Sequence, residues 1–557
     1  MKKSILGKIW NDAPLVTKNE ELLNIILKNR GLVEHESIQS FLQPSLQDLH
    51  DPFAMKGVKE AIFRIKTAFS KKERIVVFGD FDADGITSTV ILTEGLKSLG
   101  GIVSYRIPDR NLHSHGLKKY FLDDLAKKNV KLVITCDCGI NDKEEVDYAK
   151  SLGIDIIITD HHEPDEGKYP EKALAIINPK QKKCDYPEKN LSGAGIAFKL
   201  ISALAEDILD EDEIAEFLEK FLEVCAIGLI ADCVSLTNEN RILTKFGLEK
   251  LKNTKWQGLK KLLESSDVNF ENINEEIINY KIAPKLNAAS RIGDVLVASQ
   301  LFLGEDAEHF RRIEILENWN ETRQKMTEKA LKESFEQINE KNNFQFFFHK
   351  DWLPGVLGLI CGRQAELLDQ PVIAATVRHD GKITASCRAP NGFSIIKALH
   401  FSAEYFENFG GHDGAAGFLT MHENIENIKA KLLEYFSKYS RPPKKICVDA
   451  FLEPEILNFD LSNFLNFLRP FGEGNPEPIF GFKDASIEKF SLIGKNKNHA
   501  RININVANKP FEIMAFFCGN ILEKIKINQR ADFIFTITEN IWKDKKRLQL
   551  KLVDIYG

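Results

Sequence analysis

A strand-like run meets an acidic turn in the stretch Val76-Val77-Phe78-Gly79-Asp80-Phe81-Asp82-Ala83-Asp84-Gly85. The three aspartates alternate, and alternate side chains of an extended backbone share one face, so their carboxylates can converge on a hard cation. An EF-hand calcium loop is excluded, because its twelfth position requires Glu and is Ile91 here, and because a strand precedes the turn. The remaining alternative is a polar turn that caps the next helix. Since three neighbouring carboxylates repel one another, a bound cation is the simplest compensation.

Further β-rich runs alternate with helical stretches around this turn. They cover residues 74–78, 101–108, 131–136, 155–159 and 173–178, and several of them are apolar on both faces. Strands with two apolar faces are typical of a parallel sheet that helices cover on both sides. The pattern therefore predicts a doubly wound α/β domain with a parallel sheet.

Three more polar motifs follow apolar runs. Asp137 lies in the segment 135–139, and the triplet Asp160-His161-His162 follows three isoleucines and a threonine. Asp232 also has an apolar setting, although on its own it would be interpreted as a helix-capping residue. Ligands bind at the carboxyl edge of such a sheet, so we expect seven side chains to gather there. They are Asp80, Asp82, Asp84, Asp137, His161, His162 and Asp232.

This set of side chains indicates a particular metal chemistry. Carboxylates with one or two imidazoles suit Mn²⁺ or Mg²⁺ better than a cysteine-rich zinc site does. So many carboxylates can hold two ions about 4 Å apart, bridged by one aspartate. Such a pair activates water for an in-line displacement at phosphorus.

The composition is that of an ordinary globular protein with several domains. The chain has 557 residues, 43% hydrophobic and 28% charged, for which about three or four domains are expected. Its 75 basic and 81 acidic residues give a net charge of −6, which excludes a globally basic coat but not a basic cleft. We find neither an apolar run long enough to cross a membrane nor a secretory signal. Nine cysteines without zinc spacing indicate free thiols in a reducing cytoplasm.

The distribution of Gly, Pro and apolar residues along the chain suggests five regions. Neither Gly nor Pro occurs between Glu305 and Leu353, and within this range we expect one long helix over residues 307–338, with two helices and a polar corner as the alternative. Arg441-Pro442-Pro443 predicts a linker, and alternation at 501–506 and 531–538 suggests a five-stranded OB-like barrel beyond it. The regions are an N-terminal helical segment (1–70), the α/β domain (71–235), a helical connector with the long helix (236–344), a smaller α/β domain (345–440) and the barrel (441–557).

At this point the motifs resemble those of a known family. The chain is similar to the DHH phosphoesterases, and within them to the RecJ-type single-strand-specific 5′→3′ DNA exonucleases. The resemblance covers nearly the whole chain. It rests on GDFDADG (79–85), DCGI (137–140), DHH (160–162), LSGAG (191–195), AD (231–232), PKLNAASR (284–291), GGH (410–412) with AAG (415–417), and PFGEGNP (470–476).

The resemblance implies roles for individual residues of the metal centre. It assigns the bridging ligand to Asp137 and divides the first motif between the two ions. It places His162 at the scissile phosphate or in support of the ligands. The implied metal ligands are Asp80, Asp82, Asp84, Asp137, His161 and Asp232, and the implied catalytic residues are Asp137, His161 and His162.

A 5′-exonuclease must also hold the terminal phosphate, which guanidinium groups bind bidentately. By similarity the candidates are Arg110, Arg291, Ser386 and Arg388, with Gly410, Gly411 and His412 in the DHH-associated domain next to the strand. For any single arginine a surface ion pair is the alternative. The chain departs from the family pattern at His113-Ser114-His115, at Leu353 and at Ser290. These departures are expected to affect substrate binding and not the metal ligands.

The implied function is Mn²⁺- or Mg²⁺-dependent degradation of single-stranded DNA, 5′→3′ to mononucleotides, in repair and recombination. The groove is expected to be too narrow for duplex DNA, and the barrel to bind single strands. A cytoplasmic monomer that works with a helicase and a single-strand-binding protein, and with no membrane, is implied. The rival functions are a DHH phosphoesterase for short oligoribonucleotides, cyclic dinucleotides or pyrophosphate, a non-catalytic binding relative, and an RNA exonuclease.

Overall fold

The computed structural model describes residues 4–5, 7–110, 115–439, 445–494, 499–516, 525–542 and 545–557. The predicted linker 441–443 and the departures His113 and Ser114 lie outside the described residues. The chain forms two compact units. One consists of Leu46–Val234 and Asn238–Arg441, and the other of Met1–Ser45, Ser235–Thr237 and Pro442–Gly557.

The strands are numbered along the chain. They are β1 (Ile9–Trp10), β2 (Leu15–Val16), β3 (Arg74–Phe78), β4 (Ile102–Arg106), β5 (Val130–Cys136), β6 (Asp155–Thr159), β7 (Ala175–Ile177), β8 (Gln345–Phe348), β9 (Val372–Val377), β10 (Ile383–Arg388), β11 (Asn408–Gly411), β12 (Ala415–Thr420), β13 (Lys445–Ile446), β14 (Ala450–Leu452), β15 (Phe480–Ile493), β16 (His499–Val506), β17 (Lys509–Ala515), β18 (Arg530–Trp542) and β19 (Lys545–Tyr556).

The helices are numbered in the same way. They are α1 (Asn19–Asn29), α2 (His35–Leu42), α3 (Val58–Ser70), α4 (Ala83–Ser98), α5 (Lys119–Lys127), α6 (Lys143–Ser151), α7 (Gly193–Ile208), α8 (Glu211–Ala231), α9 (Asn238–Leu251), α10 (Gln257–Ser265), α11 (Glu275–Ile277), α12 (Ala283–Ile292), α13 (Val295–Leu303), α14 (His309–Phe335), α15 (Pro354–Leu368), α16 (Ile395–Phe401), α17 (Ile425–Ser437) and α18 (Phe459–Leu468).

The first sheet of the larger unit confirms the predicted doubly wound domain. Its strands are parallel in the order β4-β3-β5-β6-β7. Ile75 and Val77 of β3 pack into one hydrophobic core, whereas Val76 and Phe78 pack into a second one. Both faces of the strand are therefore covered, which is why its sequence is continuously apolar rather than alternating.

A long helix and a second sheet complete this unit. Helix α14 is a single helix of 27 residues, about 40 Å long, and it packs against α10, α12, α13 and α15. The prediction of one long helix is confirmed, and the two-helix alternative is wrong. The second sheet has the order β11-β12-β10-β9-β8, and only β8 and β9 are parallel neighbours in it.

The smaller unit contains the predicted barrel. Strands β15, β16, β17, β19 and β18 pair in that order, and β15 closes the barrel by pairing with both β16 and β18. Leu22, Ile26 and Leu27 of α1 pack into the barrel's core cluster, so the first 45 residues fold with the C-terminal part of the chain. The bounds of the five finer regions stay a prediction.

None of the helices in the described part of the chain combines the length and the apolar composition that crossing a bilayer requires.

Candidate metal centre

The predicted site residues come from the ends of three neighbouring strands and one helix. Asp80 and Asp82 follow β3, Asp137 follows β5, and the two histidines follow β6. Asp232 directly follows helix α8 rather than a strand, as the helix-capping alternative indicated. Its side chain still reaches the site, since its Oδ2 is 3.7 Å from Nδ1 of His161.

The first motif combines two functions that the sequence presented as alternatives. The side chain of Asp82 caps helix α4 by accepting hydrogen bonds from the backbone N–H groups of Asp84 and Gly85, both at 3.0 Å. Asp84 in turn accepts from the N–H groups of Gly193 at 2.6 Å and Ala194 at 3.0 Å, at the start of α7. The polar turn thus caps a helix and still directs carboxylates to one place.

Gly193 explains the LSGAG motif. A Cβ atom added there would lie 2.7 Å from Cβ of Asp137 and 3.0 Å from Oδ2 of Asp84, which is too close for any side chain. Only glycine therefore lets the positive N-terminal end of α7 approach these two carboxylates.

Asp137 is the most constrained of the carboxylates. Its backbone is left-handed, with φ of +60°, and only 3% of the residue is exposed. Its Oδ1 lies 3.1 Å from Nε2 of His161 but accepts no hydrogen bond from the described residues. A buried carboxylate oxygen without a donor is costly, and a bound cation would satisfy it.

Three overlapping groups of side chains can each hold a metal ion, with ligand atoms within 4.8 Å of one another in each group. Asp137 and His161 each belong to two of them. The overlap fits two ions that share a ligand, as the sequence predicted. The groups are Asp80 with Asp82 and Asp137, Asp84 with His161 and Asp232, and Asp137 with His161 and His162.

The electrostatics of the site also fit divalent cations. Burial and then the charge of Asp82 raise the pKa of Asp84 to about 7. Burial and the charge of Asp84 raise the pKa of Asp232 to about 8 and that of Asp137 well above its usual value. Burial lowers the pKa of His161 to about 3, so its imidazole is neutral and available as a ligand.

Asp160 positions the histidines, a role that the sequence reasoning missed. It is fully buried, and its Oδ1 accepts from the backbone N–H groups of His161 and His162 and lies 2.7 Å from Nδ1 of His162. Its Oδ2 accepts from the N–H of Ile140 at 2.9 Å. Burial acts to raise the pKa of Asp160, but the charge and hydrogen bond of His162 outweigh it and hold that pKa below its usual value. The signal for this role was the aspartate that directly precedes the two histidines in the DHH motif.

The structure shows the contacts of two residues that depart from the family pattern, His115 and Ser290. Nδ1 of His115 lies 3.0 Å from Oδ1 of Asp80, so this residue faces a predicted metal ligand. Burial opposes the effect, but Asp80 raises the pKa of His115 to about 9. Ser290 is buried, and its hydroxyl donates to the carbonyl of Asn287 at 3.2 Å.

The candidate phosphate-binding arginines lie within electrostatic range of one another. Burial lowers the pKa of Arg291 to about 9, and the charges of Arg110, Arg323 and Arg388 contribute to the shift. Cζ of Arg110 lies 5.0 Å from the centre of the ring of Phe81, which belongs to the acidic turn. Such a cluster of guanidinium groups suits an anion. Arg323 on α14 was not predicted, because no motif in the sequence pointed to it.

The other candidates of this group lie on the second sheet. Nη1 of Arg388 is 3.4 Å from the hydroxyl of Ser386, two residues earlier on β10. His412 follows β11, and the partial desolvation of its ring and then the charge of Arg388 lower its pKa. An added Cβ on Gly411 would lie 2.4 Å from the carbonyl oxygen of Ala415, so this glycine is required by the hairpin. Gly410 faces open space.

Family models match three parts of the chain. The DHH family N-terminal domain matches residues 74–229, the DHHA1 domain residues 341–438, and the RecJ OB domain residues 448–554. The single-stranded-DNA-specific exonuclease RecJ of Bacillus subtilis is 34% identical over 541 residues, which are 96% of this chain and 67% of that protein. The protein of the same name from Salmonella typhimurium is 32% identical and covers 90% of both chains.

The chain belongs to the RecJ family.

Solved RecJ structures agree in fold over nearly the whole chain. The crystal structure of RecJ from Thermus thermophilus in complex with Mn²⁺ has a TM-score of 0.82 at 26% identity, and covers 99% of this chain and 79% of that one. The Mg²⁺ complex from the same organism has a TM-score of 0.77. These matches confirm the predicted fold class of a parallel-sheet DHH domain, a DHH-associated domain and an OB-type barrel.

Proposed function

We propose that this RecJ-family protein degrades single-stranded DNA from the 5′ end to mononucleotides, with Mn²⁺ or Mg²⁺ as cofactor. It is a metal-dependent DHH-family exonuclease that acts on single-stranded DNA. The observation that carries the proposal is the set of overlapping ligand groups around Asp137, whose buried Oδ1 has no hydrogen-bond donor among the described residues. Relatives named as RecJ exonucleases and RecJ structures with Mn²⁺ and Mg²⁺ support it.

The residues of the metal centre would have different roles. When bound, Mn²⁺ or Mg²⁺ ions lower the pKa of water and offset the charge that develops on the phosphate. Asp137 would hold both ions, and His161 would bind as a neutral imidazole. The proposed ligands are Asp80, Asp82, Asp84, Asp137, His161 and Asp232.

His162 is proposed to contact the scissile phosphate. Asp160 holds its Nδ1, which leaves Nε2 as the atom that can donate to the substrate. Although burial opposes the effect, the charge of Asp160 raises the pKa of His162 and favours the cationic ring. Its side chain is 46% exposed, so substrate can reach it.

The terminal phosphate is proposed to bind between the two sheets of the larger unit. Arg110 follows β4 and Arg291 lies on α12, whereas Ser386 and Arg388 lie on β10 of the DHH-associated sheet, where the charge of Arg388 acts on His412. Besides burial, the charges of Arg110 and Arg388 lower the pKa of Arg291, and like charges that repel one another are stabilised when a phosphate binds among them. This arrangement would select a phosphorylated 5′ end.

Arg291→Ala is expected to reduce the preference for 5′-phosphorylated over 5′-hydroxyl ends by about 10–100-fold, because a charge-assisted hydrogen bond is lost. The measurement compares kcat/KM on the two substrates. Arg291→Lys should recover only part of the preference, since lysine cannot bind bidentately. Arg311→Ala, an exposed position on α14 paired with Glu308, is the control. An unchanged preference in Arg291→Ala would remove Arg291 from the phosphate site.

The barrel is proposed to be a second surface that binds the single strand. A cavity of about 600 Å³ lies over β16, β17 and β19, and it combines cationic and apolar side chains with Glu512, whose carboxylate lies 3.5 Å from Nε of Arg501. Strands two and three of an OB barrel, here β16 and β17, commonly form the oligonucleotide surface. Arginines would contact phosphates, and Phe511 would stack on a base. The lining includes Arg501, Phe511, Met514, Arg547 and Leu548.

The test of the proposed function is digestion of end-labelled single- and double-stranded DNA and single-stranded RNA with Mn²⁺, Mg²⁺ or chelator. We expect mononucleotides from the 5′ end of single-stranded DNA alone, and no hydrolysis with chelator. Preferential cleavage of short oligoribonucleotides or cyclic dinucleotides would favour the rival phosphoesterase. Strand binding without hydrolysis under any condition would favour a non-catalytic relative.

The finer cellular setting is also a proposal. The described cysteines are free thiols, as a reducing cytoplasm favours. We propose a cytoplasmic monomer that acts in repair and recombination with a helicase and a single-strand-binding protein. The support for these partners is the family resemblance alone.

A further inference from the structure

The PFGEGNP motif forms a tight loop that holds a short, distant segment of the chain. Leu236 is 3% exposed, and its backbone N–H donates to the carbonyl of Glu473 at 2.7 Å. A Cβ added to Gly472 would lie 2.8 Å from Cδ1 of Leu236. Gly474 has φ of +75°, and a Cβ added there would lie 2.2 Å from Oγ of Ser235. The two glycines therefore allow the loop to close on residues 235–237.

The loop itself is rigid. Asn475 is fully buried, and its side-chain N–H₂ donates to the carbonyls of Leu468 and Pro470, both at 2.8 Å. Its Oδ1 accepts from Nε of Arg30 at 2.7 Å. Because these bonds fix the loop from inside and from the end of α1, the loop can serve as a firm support for the segment that it holds.

The segment begins three residues after Asp232. The N–H groups of Cys233 and Val234 donate to the carbonyls of Ile230 and Leu229, which closes the end of helix α8. The backbone of Cys233 is in the left-handed region, with φ of +55°, at the position after a helix where glycine is common. This turn is unfavourable for cysteine, and the chain leaves only two residues between Asp232 and the held segment. A shift of Ser235 therefore reaches the backbone that carries the Asp232 carboxylate across only two residues.

We propose that the loop of residues 472–475 positions the metal ligand Asp232 by holding Ser235–Thr237. The proposal rests on the proposed function, since it takes Asp232 as a ligand. It assigns the PFGEGNP motif a positioning role in metal binding, in addition to its place in the unit that contains the barrel.

The test is the Mn²⁺ dissociation constant of the full-length protein without DNA, measured by calorimetry. Gly474→Ala is expected to raise it about tenfold, in the range seen when residues that orient a ligand are changed. Adding Ser235→Ala removes the atom nearest to the new methyl group but leaves Cγ2 of Thr237 at 2.9 Å, so it should restore part of the affinity. At saturating Mn²⁺ the rate of hydrolysis by Gly474→Ala should approach that of the wild type.

The matched control is Gly381→Ala. Gly381 has φ of +79°, and an added Cβ there meets no atom within 4 Å, so the variant has the same backbone strain without the clash. Its Mn²⁺ affinity should equal that of the wild type. If Gly474→Ala does not fold, Leu236→Ala is measured instead, and a weakening in the same direction is expected.

Wild-type Mn²⁺ affinity in folded Gly474→Ala, or in the Leu236→Ala substitute, would overturn the positioning role. Equal weakening by Gly381→Ala would also overturn it. A wild-type protein that binds no Mn²⁺ would instead refute the proposed function, so the two failures are distinguishable.

Discussion

Asp137→Ala is expected to lower the rate of single-stranded DNA hydrolysis by at least about 100-fold, because the two metal positions lose their shared ligand. The reason is local. Asp137 is the only carboxylate that belongs to two of the ligand groups found among the described residues, and its Oδ1 has no donor among them. Strand binding measured in chelator should stay within about twofold of the wild type, since the arginine cluster and the barrel are untouched.

Asp137→Asn is the matched variant, because asparagine keeps the shape and tolerates the left-handed backbone better than alanine does. It should be nearly as inactive, since a neutral amide is a poor substitute for a bridging carboxylate. Asp147→Ala, which removes only an ion pair with Lys172 in the same domain, should hydrolyse DNA normally. If either Asp137 variant retains more than about one hundredth of the wild-type rate, two-metal chemistry is not the mechanism.

Asp160→Ala should impair both stability and activity, although Asp160 is not a predicted ligand. The substitution leaves the buried N–H of Ile140 and the N–H groups of both histidines without their acceptor. We expect a loss of about 2–4 kcal/mol in the free energy of unfolding, measured by urea denaturation, because several hydrogen bonds to a charged group are lost. Hydrolysis should fall by about 100-fold, since the two imidazoles lose the group that orients them.

Asp160→Asn separates these effects. It keeps the volume and one acceptor oxygen, so more of the stability than of the activity should survive. The Mn²⁺ concentration for half-maximal activity should rise in both variants. Wild-type stability and hydrolysis in Asp160→Ala would show that the buried carboxylate does not organise the histidines.

The sequence predicted the local features of the site well. Strands β3 and β6 have the predicted bounds, because their apolar residues are contiguous and end in polar turns. The polar residues that follow these strands lie at one edge of the sheet, since parallel strands bring their carboxyl ends together. Asp80, Asp137 and His161 therefore could be placed from pattern alone.

The features that the sequence did not predict depend on contacts between distant parts of the chain. Asp232 reaches the site from the end of α8, and nothing in its apolar surroundings separates a helix from a strand. Arg323 joins the arginine cluster from α14 only because that helix packs against α12. Helix α1 packs on a barrel that begins more than 400 residues later in the chain, and local periodicity contains no information about such a partner.

The most direct measurement is the anomalous scattering of manganese in crystals of the protein soaked in Mn²⁺. Two peaks about 4 Å apart are predicted, with Asp137 in contact with both and His161 and Asp232 in contact with one of them. A single peak away from Asp137, or no peak among these side chains, would contradict the two-metal centre.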